Sequence, residues 1–383
     1  MPGAWLLGTT QAGREAATGE EPLRAVAVAV DTGEHDLDSS LRELHRLADT
    51  DGVQVAEDVR QARQHADPVT YVGRGKVADV AAAVERTGAG IVIADDELTP
   101  AQVRTLEGEL GVRVVDRTAL VLDIFAQHAR SSEGRTQVEL AQIAYQLPRL
   151  RGGARNLSRV GGGRVAGGQG IGVRGPGETR LESERRRLRR RANDLRRTAS
   201  GIADRRQRTR DRRARNDVPS AALTGYTDVG KSALLNALAG ADVEVRGELF
   251  ATLDPTVRRV VVDGTGFTVT DTVGFIRNLP HQLVDAFRST LEEVAQADLA
   301  VHVVDAAAPD AVSRVSTVRG VLREIGAADV PELLVLNKVD IAPPDWVEAL
   351  RRIYPDARCV SALTGEGVAE LREDLAHRLH RER

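Results

Sequence analysis

The chain has 383 residues, of which 42% are apolar, and this length and composition are typical of two or three folded domains rather than a disordered protein. Its single cysteine, Cys359, excludes an intramolecular disulfide, and no Cys or His cluster has zinc-ligand spacing. The formal net charge of −3 conceals a segregation, because residues 1–130 have a net charge of −9, residues 131–217 of +14 and residues 218–383 of −8. All 23 basic residues of the middle block are arginines, so we expect this block to meet a polyanion.

No apolar run approaches the ~18 residues that a membrane span requires, and residues 1–13 lack the basic start of a signal peptide. We therefore expect a cytoplasmic protein without a membrane span. Residues 1–24 show no clear period and are predicted to form a flexible tail.

Residues 25–134 alternate short β-branched runs with helical periods, a pattern typical of a small α/β domain with a parallel sheet. Strands are predicted at 25–30, 53–55, 91–94 and 112–115. Thr99, Pro100 and Gln102 have the spacing of a helix N-cap, a first-turn proline and a capping-box partner. The segment Gly73-Arg74-Gly75-Lys76 could be a phosphate-binding turn, but a tight turn leading into a helix is favoured.

Residues 135–217 are predicted to form an antiparallel, coiled-coil-like helical hairpin. Apolar residues recur with helical spacing in the first arm and at every seventh position in the second: Leu140, Ile143, Leu147 and Leu150, then Leu181, Leu188, Leu195 and Ile202. Between the arms, residues 151–177 contain 11 glycines and 5 arginines, and a functional basic tip is favoured over a plain linker. The arginines of residues 205–215 favour an RNA-phosphate surface over a merely solvated helix face, because like charges repel along a helix.

Residues 218–383 are predicted to form a Ras-like P-loop G domain. A strand at 218–223 leads into a G-x-x-x-x-G-K-S motif that a helical pattern follows at once. In this setting the glycines let backbone N–H groups surround a phosphate, while Lys231 reaches the β- and γ-phosphates and Ser232 is a ligand of Mg²⁺. The motif comprises Gly225, Tyr226, Thr227, Asp228, Val229, Gly230, Lys231 and Ser232.

Three shorter motifs follow, each at the end of a predicted strand: Asp271, Thr272, Val273 and Gly274; Asn337, Lys338, Val339 and Asp340; and Ser361, Ala362 and Leu363. The first places an acid near the metal and a glycine N–H where it can sense the γ-phosphate. A carboxylate in the second can accept hydrogen bonds from the N1–H and the exocyclic amine of guanine, a donor pair that adenine lacks. The third is at the usual place for a backbone contact to guanine O6. Four motifs in this order predict a site for GTP and GDP.

From about Leu37 to its C-terminus the chain resembles the HflX family of ribosome-associated GTPases. The resemblance rests on long strings of residues in all three parts of the chain: 71–76, 96–100, 116–117, 122–126, 137–142, 147–150, 174–179, 249–256 and 271–281. In the family the first part is an α/β domain, for which an ATP-linked RNA activity has been suggested in some members.

The resemblance implies a further site segment: Phe250, Ala251, Thr252, Leu253 and Asp254. Its threonine would close on Mg²⁺ when the γ-phosphate is present, so that Lys231, Thr252 and Gly274 are the predicted catalytic residues and Ser232 and Thr252 the predicted metal ligands. The resemblance also implies the large (50S) ribosomal subunit and its rRNA as partners, with the hairpin tip directed toward the peptidyl-transferase region. The implied function is the splitting or rescue of stalled or idle ribosomes, with subunit biogenesis as a possible second role, and we expect a monomer.

Two positions shape the expected chemistry. Asp228 stands where the family usually has asparagine, and in related potassium-activated GTPases the asparagine oxygen helps to hold a monovalent cation. We therefore expect K⁺ near Asp228 to offset the added charge. Phe275 follows Gly274 where many small GTPases have a water-orienting glutamine, so we expect slow intrinsic hydrolysis that a partner accelerates by roughly 10³–10⁵.

The residues alone leave two other functions open. One is an ATP-linked RNA-binding or RNA-unwinding module based on the N-terminal domain, and the other is a regulatory GTPase that acts on a protein partner away from the ribosome.

Overall fold

The computed structural model describes residues 22–33, 36–150, 176–215, 218–240, 249–250, 253, 255–277 and 288–381, with the backbone alone for 176–180, 203–215, 288–290 and 381. The predicted tail at 1–24 and the predicted tip at 151–177 lie almost entirely outside these residues. The chain divides into two compact units, residues 1–126 with 135–201 and residues 127–134 with 202–383, and each unit contains its own hydrophobic core. The limits of the three domains stay a prediction.

The first unit contains a four-stranded parallel sheet with the strand order β2-β1-β3-β4, which confirms the predicted parallel α/β arrangement. Its strands are β1 (Leu23–Asp31), β2 (Val53–Ala62), β3 (Ile91–Ala94) and β4 (Arg113–Asp116). The helices of this part of the chain are α1 (Leu37–Thr50), α2 (Arg74–Thr87), α3 (Pro100–Leu110) and α4 (Arg117–His128). Strand β2 is longer than its apolar residues indicated, because it lies at the sheet edge and exposes several polar side chains.

Local sequence signals decide how two of these helices begin. Thr99 accepts a hydrogen bond from the Gln102 backbone N–H while the Gln102 side chain accepts one from Thr99, so the predicted capping box is confirmed. Gly73 is the N-cap of α2, and Lys76 forms an ion pair with Asp79 at 2.8 Å. The Gly73–Lys76 segment is therefore the N-cap and first turn of α2 itself, so the helix begins earlier than the predicted turn allowed.

The middle region is a pair of helices, α5 (Ser132–Arg149) and α6 (Pro176–Arg215), and the predicted helical hairpin is confirmed. Its buried centre consists of Ile143 with Leu188, Ala192 and Leu195, with further leucines of α5 packed against it. Glu139 pairs with Arg191 at 2.6 Å beside this centre. The outer residues of the predicted seven-residue repeat, Leu181 and Ile202, are only half-buried, so the tightly packed part of the seam is shorter than the repeat.

A buried carboxylate fixes the end of α5 to the sheet of the first unit. Asp116, the last residue of β4, accepts hydrogen bonds from the backbone N–H groups of Leu98 and Ala119 at 3.0 and 2.8 Å. It also accepts from the Tyr145 hydroxyl at 2.9 Å and from the Arg149 guanidinium at 2.9 Å. With four donors the buried charge is fully satisfied, and the ion pair with Arg149 holds the last turn of α5 against the sheet.

The second unit contains a six-stranded sheet with the order β10-β9-β8-β5-β7-β6, in which β6 alone is antiparallel to its neighbour. The strands are β5 (Ser220–Gly225), β6 (Thr256–Val262), β7 (Thr265–Asp271), β8 (Leu299–Asp305), β9 (Glu332–Asn337) and β10 (Arg358–Cys359). The helices are α7 (Lys231–Ala239), α8 (Arg288–Ala295), α9 (Ala311–Glu324), α10 (Pro344–Ile353) and α11 (Val368–Arg381). In a parallel sheet the carboxyl ends of the strands meet at one edge, and the predicted site motifs lie at this edge.

Within the described ranges, no helix combines the length and the apolar character that crossing a membrane would require.

Candidate guanine-nucleotide site

The loop between β5 and α7 can form only with glycine at both of its ends. Gly225 has φ +144°, and a Cβ there would lie 2.3 Å from the Val303 carbonyl oxygen. Gly230, the N-cap of α7, has φ +87°, and a Cβ there would lie 2.4 Å from Asn337 Nδ2. The loop therefore lies directly against β8 and β9, and it leads into the N-terminus of α7, a helix end that favours an anion.

Lys231, the first residue of α7, is buried beneath this loop. Its ammonium group donates to the carbonyl oxygens of Tyr226 at 2.9 Å and Gly225 at 3.3 Å. Burial lowers the pKa of Lys231 to about 8, an effect that the nearby carboxylates of Asp271 and Asp228 partly oppose. These contacts hold the side chain against the loop.

The next residue, Ser232, donates a hydrogen bond to the Asp271 carboxylate at 2.6 Å. A hydroxyl and a carboxylate are the hard oxygen donors that Mg²⁺ prefers, and Mg²⁺ completes its shell with waters and substrate phosphates. These residues therefore fit the predicted metal. Thr252, the other predicted metal ligand, lies outside the described residues, as do Ala251 and Asp254. The flanking Phe250 and Leu253 are described, and both are buried.

Gly274 packs directly against the phosphate loop. A Cβ at this position would lie 2.9 Å from Thr227 Cα and 2.9 Å from the Lys231 ammonium, so no side chain fits here. The Thr227 N–H donates to the Phe275 carbonyl at 2.7 Å, and the Phe275 N–H donates to the Gly225 carbonyl at 3.1 Å. The Phe275 side chain points into the hydrophobic core and is 1% exposed, so it contributes no polar group to the site.

The Asn337 side chain joins three loops of the site. At the end of β9 its Nδ2 donates to the Val229 carbonyl at 2.7 Å, while its Oδ1 accepts from the Ala362 N–H at 2.9 Å. Because Asn337 is 2% exposed, both bonds are shielded from water. Asp340, by contrast, is exposed and open to a ligand.

Lys338 lies between two carboxylates. Its ammonium is 2.9 Å from Asp305 Oδ2, at the end of β8, and 3.5 Å from Asp228 Oδ2 in the phosphate loop. Asp305 was not among the residues predicted from the sequence. Its position at the end of a buried strand, at the edge where the other motifs meet, is the signal that could have identified it.

The structure therefore brings the four predicted motifs together: Gly225–Ser232, Asp271–Gly274, Asn337–Asp340 and Ser361–Leu363. Their arrangement, on a mostly parallel sheet with a glycine loop opening a helix, is that of a P-loop guanine-nucleotide-binding protein.

Comparison with known proteins identifies the family. Three protein-family profiles match in succession: "GTP-binding GTPase N-terminal" at residues 38–126, "GTP-binding GTPase Middle Region" at 128–213 and "50S ribosome-binding GTPase" at 220–338. A protein named GTPase HflX from Caldanaerobacter subterraneus subsp. tengcongensis is 45% identical over 360 residues, which cover 94% of this chain and 81% of that protein. GTPase HflX from Escherichia coli K12 is 44% identical over 343 residues, 88% of this chain and 79% of its own length.

Among solved structures, a GTP-binding protein from Sulfolobus solfataricus in complex with GDP aligns over 94% of this chain and the whole of its own, with 24% identity and a TM-score of 0.46. The chain belongs to the HflX family of GTPases. It is accordingly a GTP-hydrolysing enzyme.

The two glycines that flank α7 allow a matched test of the loop geometry. In the Gly230→Ala variant the new Cβ displaces Asn337, so we expect nucleotide affinity to fall more than about tenfold. Gly240, the C-cap of the same helix, also has positive φ but has open space around it. Gly240→Ala should lower stability by about 1–2 kcal/mol and leave affinity unchanged. Titration with a fluorescent GDP derivative measures the nucleotide affinity of each variant. Equal affinities for the two variants would contradict the assigned geometry.

The lowered pKa of Lys231 predicts proton uptake on nucleotide binding. The free protein loses the Lys231 proton above about pH 8, whereas bound phosphates stabilise the ammonium and raise its pKa again. GDP affinity should therefore be constant below about pH 7 and fall by up to about tenfold per pH unit above pH 8. Calorimetry in two buffers of different ionisation enthalpy at about pH 8.5 measures the uptake directly. Binding without proton uptake at that pH would contradict the prediction.

Proposed function

We propose that this protein is a GTP-hydrolysing switch that binds the large ribosomal subunit and separates or remodels stalled or idle ribosomes. The observation that supports this most directly is the match of residues 220–338 to a family described as 50S ribosome-binding GTPases. Where ribosomes are the partner, we expect the protein to act in the cytoplasm and as a monomer.

The contacts of the site support a role for each motif. Lys231 would contact the β- and γ-phosphates from its place beneath the loop, and Ser232 and Thr252 would hold Mg²⁺, with Asp271 as acceptor for the serine. The N–H of Gly274 would meet the γ-phosphate, because this glycine lies against Thr227 and Lys231. The nucleotide would lie along all five segments named from the sequence: 225–232, 250–254, 271–274, 337–340 and 361–363.

Guanine selection follows from the segment after β9. The exposed Asp340 carboxylate would accept from the N1–H and the amine of guanine, and the segment 361–363 would supply the backbone contact to O6. Asn337 would hold these two segments against the phosphate loop through its two buried hydrogen bonds. A base without the paired donors would leave the carboxylate unsatisfied.

The burial of Phe275 supports slow intrinsic hydrolysis. This position offers no group to orient the attacking water, so the group must come from elsewhere, and a ribosomal partner would supply it. In comparable GTPases, a group supplied by a partner accelerates hydrolysis by roughly 10³–10⁵. Hydrolysis would then be fast only on the ribosome.

The second arm of the hairpin supports an rRNA contact. Its apolar seam faces α5, while the other sides expose arginines with few acidic partners: Arg186, Arg187, Arg189, Arg190, Arg196 and Arg197. Guanidinium groups along one helix suit the phosphates of an RNA backbone, and binding through them weakens as salt rises. The basic tip segment would extend this contact.

Sedimentation with purified subunits tests the proposal. With a non-hydrolysable GTP analogue we expect co-migration with 50S subunits, and with whole ribosomes we expect their separation and faster GTP hydrolysis. Deletion of residues 151–177 should abolish splitting, because it removes the basic tip, while nucleotide affinity stays unchanged. Splitting by the deletion variant would contradict the role of the tip. RNA binding without subunit preference would favour the RNA-unwinding alternative, and no ribosome binding would favour a regulatory GTPase with a protein partner.

The charge of Asp228 gives a separate test of the predicted potassium ion. Lys338 faces this carboxylate at 3.5 Å, and we propose that K⁺ shares the carboxylate when the triphosphate brings further negative charge. GTP hydrolysis should then be several-fold faster in K⁺ than in a large inert cation at equal ionic strength, and Asp228→Asn should retain the dependence. Equal rates in the two cations would mean that Lys338 alone neutralises Asp228.

A further inference from the structure

Asp310, immediately before α9, lies between two arginines. Its Oδ1 is 2.7 Å from Arg314 Nε, one helical turn further along, and its Oδ2 is 3.8 Å from Arg277 Nη2. All three side chains are largely shielded, with exposed fractions of 12% for Asp310, 14% for Arg277 and 22% for Arg314. Charged pairs in such surroundings are screened far less than pairs on the open surface.

The two arginines connect Asp310 to the two loops that meet at the phosphates. The Arg314 guanidinium lies over the ring of Tyr226, 4.8 Å from its centroid, and Tyr226 is the second residue of the phosphate loop. Arg277 is the third residue after Gly274. We call Tyr226, Arg277, Asp310 and Arg314 the Asp310 cluster.

The backbones of the same two loops are also joined. Residues 226 and 275 form a parallel bridge, and hydrogen bonds connect Thr227 to Phe275 and Phe275 to Gly225. The two loops are therefore connected twice. Their backbones are hydrogen-bonded to each other, and the Asp310 cluster joins Arg277 to Tyr226 through side chains. A shift of the segment at 274–277 would break either the backbone bonds or the ion pair of Arg277.

We propose that Asp310 is a positioning residue for GTP hydrolysis. By holding Arg277, it keeps the Gly274 N–H in register with the phosphate loop, at the place where the γ-phosphate binds. The proposal rests on the role proposed above for Gly274, and it is independent of the ribosome. GDP has no γ-phosphate, so binding of GDP does not use the segment that Asp310 holds.

Two variants test this role. Asp310→Asn keeps the shape of the side chain but removes its charge. Arg277→Gln removes the other partner and leaves the pair of Asp310 with Arg314 intact, so it also serves if Asp310→Asn fails to fold. Each is measured without ribosomes for its affinity for GDP, its affinity for a non-hydrolysable GTP analogue, and its single-turnover rate of GTP hydrolysis.

The chain offers a matched control in Asp374. This carboxylate, 17% exposed, also lies between two arginines, accepting from Arg358 at 2.8 Å and, one helical turn further along, from Arg378 at 3.1 Å. None of these residues belongs to the nucleotide motifs. Asp374→Asn removes a similarly placed charge from the same unit and should leave all three measurements unchanged.

We expect Asp310→Asn and Arg277→Gln to bind GDP as the wild type does. Their affinity for the GTP analogue should fall by about fivefold and the hydrolysis rate by about tenfold, with the double variant no worse than either single one, because both act on one ion pair. Equal losses of affinity for GDP and for the GTP analogue would mean that Asp310 only supports the fold, and would overturn the positioning role. A normal hydrolysis rate in both variants would overturn the proposal. Because no ribosome is present, either result leaves the proposed ribosomal function to be judged on its own.

Discussion

The nucleotide site depends on one buried amide. The Asn337 side chain donates to the phosphate loop through Val229 and accepts from the backbone of Ala362, and it does so where water does not compete. An amide is the only side chain of this size that offers one donor and one acceptor on the same planar group. It comes so close to the loop that Gly230 has no room for a Cβ, and the sharp start of α7 follows from this contact.

The segment after β7 shows how packing and chemistry are linked. Phe275 fills the core beneath the site, and its backbone is tied to Gly225 and Thr227. A residue used in this way holds Gly274 in place, but its own side chain is not available to orient water. This agrees with the proposal made above that a partner accelerates hydrolysis.

The G domain and the helical hairpin differ in net charge and in the basic residues that they use. In the acidic G domain, two of the three lysines of the chain, Lys231 and Lys338, lie against phosphate-loop atoms. All basic residues of the helical hairpin are arginines, and their planar guanidinium groups suit the rRNA contact proposed above. The third lysine, Lys76, forms a local ion pair with Asp79.

Features with a local cause could be predicted from the sequence: the capping box at Thr99, the phosphate-loop glycines, the strands buried on both faces and the four site motifs. Strand β2 was only partly predicted, because a strand at a sheet edge needs few apolar residues. Asp305 has one sequence signal, its place at the end of a buried strand, whereas Asp310 has none. Lys338 and Arg277, with which they pair, lie far away along the chain. Only the tertiary structure decided that these carboxylates pair with these cations, because the crossover connections of the sheet bring the two residues of each pair together.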